Sequence, residues 1–293
     1  MEYKKYIWQA QFEKKTNWLK AVTTLKQATD LFPEEYELYF ELGQLFYERK
    51  LFPEAIEYFQ KAIEIFPSYT NIYFKIANCY LALKEENLAI YYYDKIKDNY
   101  PEALYNKAVA LLGKNKTGEV IQTLEELLLL NPDTETPYFF LSEQYLMNRQ
   151  YEKALKTLSS AEALFGSQGR VNFFKGISYS AQKQWIKAYY EFQKCEKMKF
   201  NGQGFYRAYA VASEKIGKFE QSINLFKHAI EETPTNLPLY LDLINTYISR
   251  NMIKEAYKTV LQAKKIKPYS SPVSLIYNKL KKMLEEKKEY PEK

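Results

Sequence analysis

One spacing constrains this chain more than any other feature. Pro33, Pro67 and Pro101 stand 34 residues apart, and so do Pro234 and Pro268. Pro132, Gly166 and Phe200 fill the equivalent places between them, and only the step from Pro101 to Pro132 is short, by three residues. A fixed period of this length marks a chain built from stacked supersecondary units, each of which buries its apolar face only against its neighbours.

Laid on those marks, the sequence falls into columns. Position 20 reads Ala21, Ala55, Ala89, Val120, Ala154, Ala188, Ser222 and Ala256. Position 24 reads Leu25, Phe59, Tyr93, Leu124, Leu158, Phe192, Phe226 and Val260, and position 27 is mostly alanine. Position 7 runs from Trp8 through Leu42 and Ile76 to Leu243, and position 11 from Phe12 through Phe46 and Tyr80 to Tyr247. Positions 4, 7, 8 and 11 share one helical face, and 20, 24 and 27 share a face of a second helix. Small residues at 8, 20 and 27 allow the two helices to approach closely, and large ones at 7, 11 and 24 fill the space between them. A proline after the second helix stops it. Short polar breaks such as Glu48-Arg49-Lys50 separate the two helices. Each unit therefore reads as an antiparallel helix pair.

The expected units are 2–35, 36–69, 70–100, 101–134, 135–168, 169–202, 203–236 and 237–270 of a single array spanning 1–293. The fourth has a shortened entry and carries Lys107 and Val120, and the sixth carries Lys175 and lacks the proline. These departures weaken the packing expected there. Ser270-Ser271-Pro272 is a helix start. Val273, Ile276, Tyr277, Leu280 and Leu284 then form one apolar stripe, which predicts a capping helix over 271–288 and a frayed tail over 289–293.

The columns resemble the tetratricopeptide repeat family, whose pattern is W-x2-L-G-x2-Y, then A-x3-F, A and P. The second unit carries it as Tyr39, Leu42, Gly43, Phe46, Ala55, Phe59, Ala62 and Pro67. The resemblance covers essentially the whole chain, as eight tandem repeats plus the capping helix. It implies an all-α fold, a right-handed α-solenoid of antiparallel helix pairs wound into a superhelix. It also implies that the first helices line a concave groove in which peptides lie.

On the family's groove positions this chain places Tyr6, Phe40, Phe74, Tyr105, Phe139, Phe173 and Arg207 at position 5, and Gln44, Asn78, Glu143 and Asn245 at position 9. Phe140 enlarges the centre of the patch. The resemblance thus implies an aromatic stripe flanked by polar groups, fit for a protein or peptide client with apolar anchors. Two readings of the column stay open, groove anchors or packing between neighbouring helices. On the groove reading, alanine at Phe74, Phe139 and Phe173 abolishes client capture. The family's carboxylate clamp needs Lys at position 5 and Asn at position 9 of one repeat. Asn78 pairs with Phe74, and Arg207 lacks the other members, so that variant is not expected.

Composition closes off other classes. Nine glycines are too few for turn-dense β folds. Cys79 and Cys195 cannot form a disulfide framework or a multi-cysteine zinc site, and they suit a reducing setting. The first fifteen residues hold no apolar signal segment, and no run reaches the ~18 apolar residues of a membrane span. A cytoplasmic location is the expectation. The one histidine, His228, has no partner in sequence that would make it a general base. Gly202-Gln203-Gly204 lacks the residues of a phosphate loop and reads as a turn between units six and seven. No enzyme, no cofactor and no metal is expected.

The net charge of +6 is uneven, with 12 Lys/Arg against 6 Asp/Glu over residues 237–293. That excess could steer an acidic partner, or serve as a solvated end. The expected groove is not basic, so nucleic acid is not the expected partner. A scaffold that recruits a client is the leading expectation. A self-assembling structural component, with homo-oligomers formed through a terminal helix, is the alternative, and an RNA-binding helical repeat a more distant one.

Overall fold

A computed structural model describes residues 2–96 and 100–289, with side chains through residue 285. The described residues form seventeen α-helices and no strand. They divide into two compact units, Met1–Gln144 and Tyr145–Lys293. The first holds α1 (Lys4–Glu13), α2 (Trp18–Leu31), α3 (Tyr36–Glu48), α4 (Phe52–Ile65), α5 (Thr70–Ala82), α6 (Glu86–Tyr93), α7 (Pro101–Gly113) and α8 (Thr117–Leu130). The division falls within α9 (Glu135–Met147). The second unit continues with α10 (Tyr151–Phe165), α11 (Gly169–Ala181), α12 (Trp185–Lys197), α13 (Phe205–Lys215), α14 (Phe219–Glu232), α15 (Leu237–Ser249), α16 (Ile253–Ile266) and α17 (Ser271–Glu289). From α1 to α8, and again from α10 to α17, each helix packs on the one before and the one after, so both units are stacks of antiparallel helix pairs. The expected tail lies outside the described residues except for Glu289, where α17 ends.

The second helix of every pair buries columns 20 and 24 as read from sequence. All eight residues at position 20 are fully buried, and those at position 24 are at most 3% exposed. Each large position-24 side chain contributes about 2–3 kcal/mol of apolar burial. Gly43 and Gly176 show why position 8 is small. A Cβ there would lie 2.6 Å and 2.5 Å from ring carbons of Phe59 and Phe192.

The turn within each pair repeats as closely as the helices. Lys50, Lys84, Asn115, Arg149, Lys183, Gly217 and Asn251 all take a positive φ. In the second pair the Lys50 N–H donates to Tyr47 O at 2.9 Å and the Leu51 N–H to Phe46 O at 3.0 Å. This is a Schellman closure, which satisfies carbonyls at the helix end. The same pair of bonds recurs at every later turn, for example Lys183 to Ser180 and Gln184 to Tyr179.

Two expectations are corrected. In the first pair the turn covers residues 14–17, against 49–51 in the second, and shows no positive φ. The extra residue shifts the register of α1 by one. Ile7 and Ala10, each 35 residues before Leu42 and Leu45, are the buried residues, whereas Trp8 is 71% and Phe12 74% exposed. Trp8 and Phe12 therefore leave the packing columns to which the 34-residue ruler assigned them. Secondly, Pro101 opens α7 instead of following a completed helix as Pro67 does. The three missing residues are lost at the end of the third pair, where α6 is only 8 residues long, and not at the entry to the fourth.

The two lysines that broke column 7 are accommodated in the same way. Lys107 Nζ meets Asp94 Oδ1 at 2.6 Å, and Lys175 pairs with Glu162. In both cases the carboxylate stands 13 residues earlier, near the end of the preceding helix. A half-buried lysine at an apolar column is tolerated because the stack supplies its counter-charge.

Candidate functional site

The face of the first helices in Met1–Gln144 carries most of the aromatics expected to bind. Phe40 on α3 packs against Phe59 and Tyr69, with ring centroids 5.6 and 5.7 Å away. Phe74 on α5 meets Tyr93 at 6.4 Å and stands edge-on to Tyr100 at 4.7 Å. Tyr105 on α7 meets Phe140 at 6.0 Å. Each position-5 ring in α3 and α5 thus leans on the position-24 ring of its own pair and on a tyrosine at the next junction. One side is packed and the other is open, and all four residues are half-buried.

Phe74 and Tyr105 open onto one cavity of about 560 Å³, walled also by Pro101, Asn106, Thr136 and Pro137. Asn106, which lines it, is held from behind by Asn78. Asn78 Oδ1 accepts from Tyr93 Oη at 2.6 Å and from Asn106 Nδ2 at 2.9 Å. Burial pushes the Tyr93 phenol up, so it stays a neutral donor. Asn106, at position 6, was not among the residues expected from sequence.

A second, smaller cavity of about 260 Å³ lies where α1 meets α3, walled by Ile7, Trp8, Tyr36, Glu37, Phe40 and Glu41. Tyr3 donates to Glu37 at 3.1 Å, and Lys4 lies 3.7 Å from the same carboxylate. Glu41 differs. Burial pushes its carboxyl up, which disfavours the charged form. The register shift in α1 brings Trp8 here, which the repeat ruler could not show. Of the remaining expected residues in this unit, Tyr6 packs on Phe32 at 6.2 Å, and Gln44 is half-buried with its Oε1 lacking a protein partner. Glu143 is half-buried. Phe139 is corrected outright. At 1% exposure it is a core residue with no face left for a ligand.

In Tyr145–Lys293 the same column continues with Phe173, half-buried like Phe74. Phe173 is ringed by Phe174, Phe192, Phe200 and Phe205 at centroid distances of 5.5, 6.2, 5.3 and 6.4 Å. Arg207 is exposed but occupied, its Nε 2.8 Å from Asp242 Oδ2. Asn245 is exposed. The structure therefore gathers Phe40, Phe74, Asn78 and Tyr105 along one face, with Trp8 and Asn106 added. Phe139, buried in the core, is not among them.

Groups that could carry covalent chemistry are quiet. Cys79 and Cys195 are buried free thiols, which burial pushes up to about 12. An activated nucleophile needs the opposite shift. His228 is 47% exposed, packs edge-on against Tyr206 at 4.1 Å, and lies 3.6 Å from Glu231. A relay of side chains runs nearby. Lys218 Nζ donates to Tyr189 Oη at 2.8 Å, Tyr189 to Gln221 at 3.0 Å, Gln221 to Tyr209 at 2.9 Å, and Tyr209 to Glu196 at 3.3 Å. It ties α12, α13 and α14 together. Among the described residues no group of three or more His, Cys, Asp and Glu side chains could hold a metal, and no helix is long and apolar enough to cross a membrane.

Comparisons with known proteins agree with this geometry. Two models, both described as tetratricopeptide repeat, match residues 12–70, 46–112 and 217–280, together more than half of the chain. No curated protein matches the sequence. Among solved structures, the C-terminal part of a TPR repeat-containing protein from Cytophaga hutchinsonii is 16% identical, with a TM-score of 0.66 over 81% of this chain and 98% of that one. YrrB, a TPR protein with an unusual peptide-binding site, is 15% identical, with a TM-score of 0.56 over 63% of this chain and 96% of that one. The APC/C hetero-tetramer Cut9-Hcn1 is 14% identical, with a TM-score of 0.57 over 90% of this chain, and only 52% of that chain is spanned. At these identities the likeness is one of fold. Together with the buried columns, the matched models lead to one conclusion: the chain belongs to the tetratricopeptide repeat family.

Proposed function

We propose that this chain is a non-catalytic scaffold that holds a protein or peptide client against the first-helix face of residues 1–144, in an array read as eight repeats and a capping helix. One observation carries the reading. Phe74 and Tyr105, from successive repeats, wall a single cavity of about 560 Å³ that is also lined by Asn106, an amide held by Asn78. Half-packed aromatics are good anchors because they are already rigid and lose little entropy when a partner covers them. The Asn106 amide offers a donor and an acceptor to an extended backbone. The description of YrrB as a peptide-binding TPR protein supports the same use of the fold. The unpaired thiols suit the expected cytoplasmic setting.

The test is capture of clients from a lysate of the source cell by the wild-type chain and by Phe74→Ala/Tyr105→Ala, read by mass spectrometry, with circular dichroism as the folding control. Loss of specific clients in a folded variant supports the proposal. Undiminished capture by the folded double variant overturns it. Phe139 is an unsuitable probe, because alanine there opens the core.

A further inference from the structure

The turns within the helix pairs of Tyr145–Lys293 are rich in cations. Where a helix opens with an aromatic residue, a cation from the next turn can cover it. Arg250 lies over the Phe219 ring at 4.4 Å, and in the first unit Arg49 lies over Trp18 at 5.7 Å. In both cases the cation stands 31 residues after the ring. Trp185 opens α12 in the same way, but the residue 31 positions on is Ile216. An apolar residue therefore takes the covering place, and the lysines nearby are left without that task.

The result is a cleft of about 510 Å³ between the turn of α11 and α12 and that of α13 and α14. Trp185, Ile186 and Ile216 supply its apolar wall, and Lys183, Lys187 and Lys215 supply its cations. No carboxylate lines it. All three lysines are exposed, and none forms an ion pair among the described residues. The nearest engagement is Lys187 over the Tyr179 ring at 5.4 Å. Ile186 is 65% exposed. Three uncompensated positive charges around an apolar wall raise the local potential and attract an anion that also brings apolar surface.

We infer that this cleft docks an acidic segment of a protein partner. Carboxylates engage Lys183, Lys187 and Lys215, and an adjacent apolar side chain covers Trp185 and Ile186. A protein segment fits better than nucleic acid. Trp185 is the only ring in the wall, and single strands are held by successive stacking platforms. The site lies apart in sequence from the Phe74–Tyr105 cavity and does not depend on it.

The probe is a fluorescein-labelled synthetic peptide of repeated Glu-Glu-Leu, titrated with the full chain by fluorescence anisotropy. Saturable binding is expected, weakened about tenfold or more between 0.05 and 0.5 M NaCl because screening shortens the reach of the lysines. Lys183→Glu/Lys187→Glu/Lys215→Glu, all at exposed positions, should lose at least about tenfold in affinity with its helicity intact. Trp185→Ala should lose a smaller factor. Phe74→Ala/Tyr105→Ala should bind the peptide within about twofold of wild type, which separates this site from the proposed client face. The inference is overturned if the peptide does not bind or the triple variant binds it equally well. It is also overturned if an oligothymidylate or phosphatidylserine vesicles bind more tightly through the same lysines.

Discussion

Phe74 and Phe173 occupy the same position of their helix pairs and are both half-buried, yet their surroundings differ. Phe74 meets Tyr93 and Tyr100 and keeps a side open. Phe173 meets four phenylalanine rings. The junctions that follow the two pairs differ as well. After α6, only 8 residues long against 13 for α12, residues 94–100 lead to Pro101 at the start of α7. After α12 come residues 198–204, and Phe200 folds back over the pair. The Phe200 side chain so fills this corner that a Cβ on Gly169 or Gly202 would lie 2.7 Å or 2.2 Å from it. In this array each of these aromatics meets a ring from the junction after its pair, Tyr100 for Phe74 and Phe200 for Phe173.

The sharpest way to break that comparison is by truncation. Phe139→Ala should cost about 3–5 kcal/mol in urea denaturation, as for a fully buried phenylalanine. Phe173→Ala and Phe74→Ala, both of half-buried rings, should cost less, about 2–3 kcal/mol and about 2 kcal/mol or less, with Phe173 the costlier because it meets four rings against two. If Phe173→Ala proves as mild as Phe74→Ala, the additional rings around Phe173 do not strengthen its packing.

A smaller effect tests whether the helix-pair interface itself differs between the units. Gly43→Ala and Gly176→Ala each force a methyl against the ring of Phe59 or Phe192. Each should cost about 1–3 kcal/mol. Similar losses mean the pair interface is the same in both units, so that the surroundings of Phe74 and Phe173 differ only outside it. A clear inequality would move the cause into the pair.

The smallest effect concerns the turns. Gly217 and Lys50 take equivalent left-handed conformations, at φ 83° and 60°. Gly217→Ala should lose about 1 kcal/mol, and Lys50→Gly should be neutral or gain up to about 1 kcal/mol, both read as shifts in Tm. A stabilising Gly217→Ala would show that this turn is not held as the others are.

Much of this could be read from the chain. The small-residue columns at positions 8 and 20 and the large column at 24 follow from helical period and volume, and the structure buries those at 20 and 24 throughout and that at 8 from the second unit onward. The Asn78–Asn106 contact was half legible: Asn78 was chosen by family position, while Asn106 emerged only when α5 and α7 were seen side by side. Trp8 was misassigned because one extra turn residue rotates a helix by about 100°. A ruler set by prolines does not register that. Pro101 kept the 34-residue interval by coincidence, in a pair that had lost three residues elsewhere.

By itself the sequence determined that this chain makes antiparallel helix pairs, because periodic burial of small and large residues along a helix is a local property that repeats in every unit. Tertiary structure alone decided which aromatics remain open, which lysines keep a counter-charge and which have none. Those outcomes depend on side chains from neighbouring pairs meeting across junctions of unequal length. Lys107 and Lys175 each found a carboxylate 13 residues back, whereas Lys183, Lys187 and Lys215 found none among the described residues. Residue type was the same in all five, and only the packing around each told them apart.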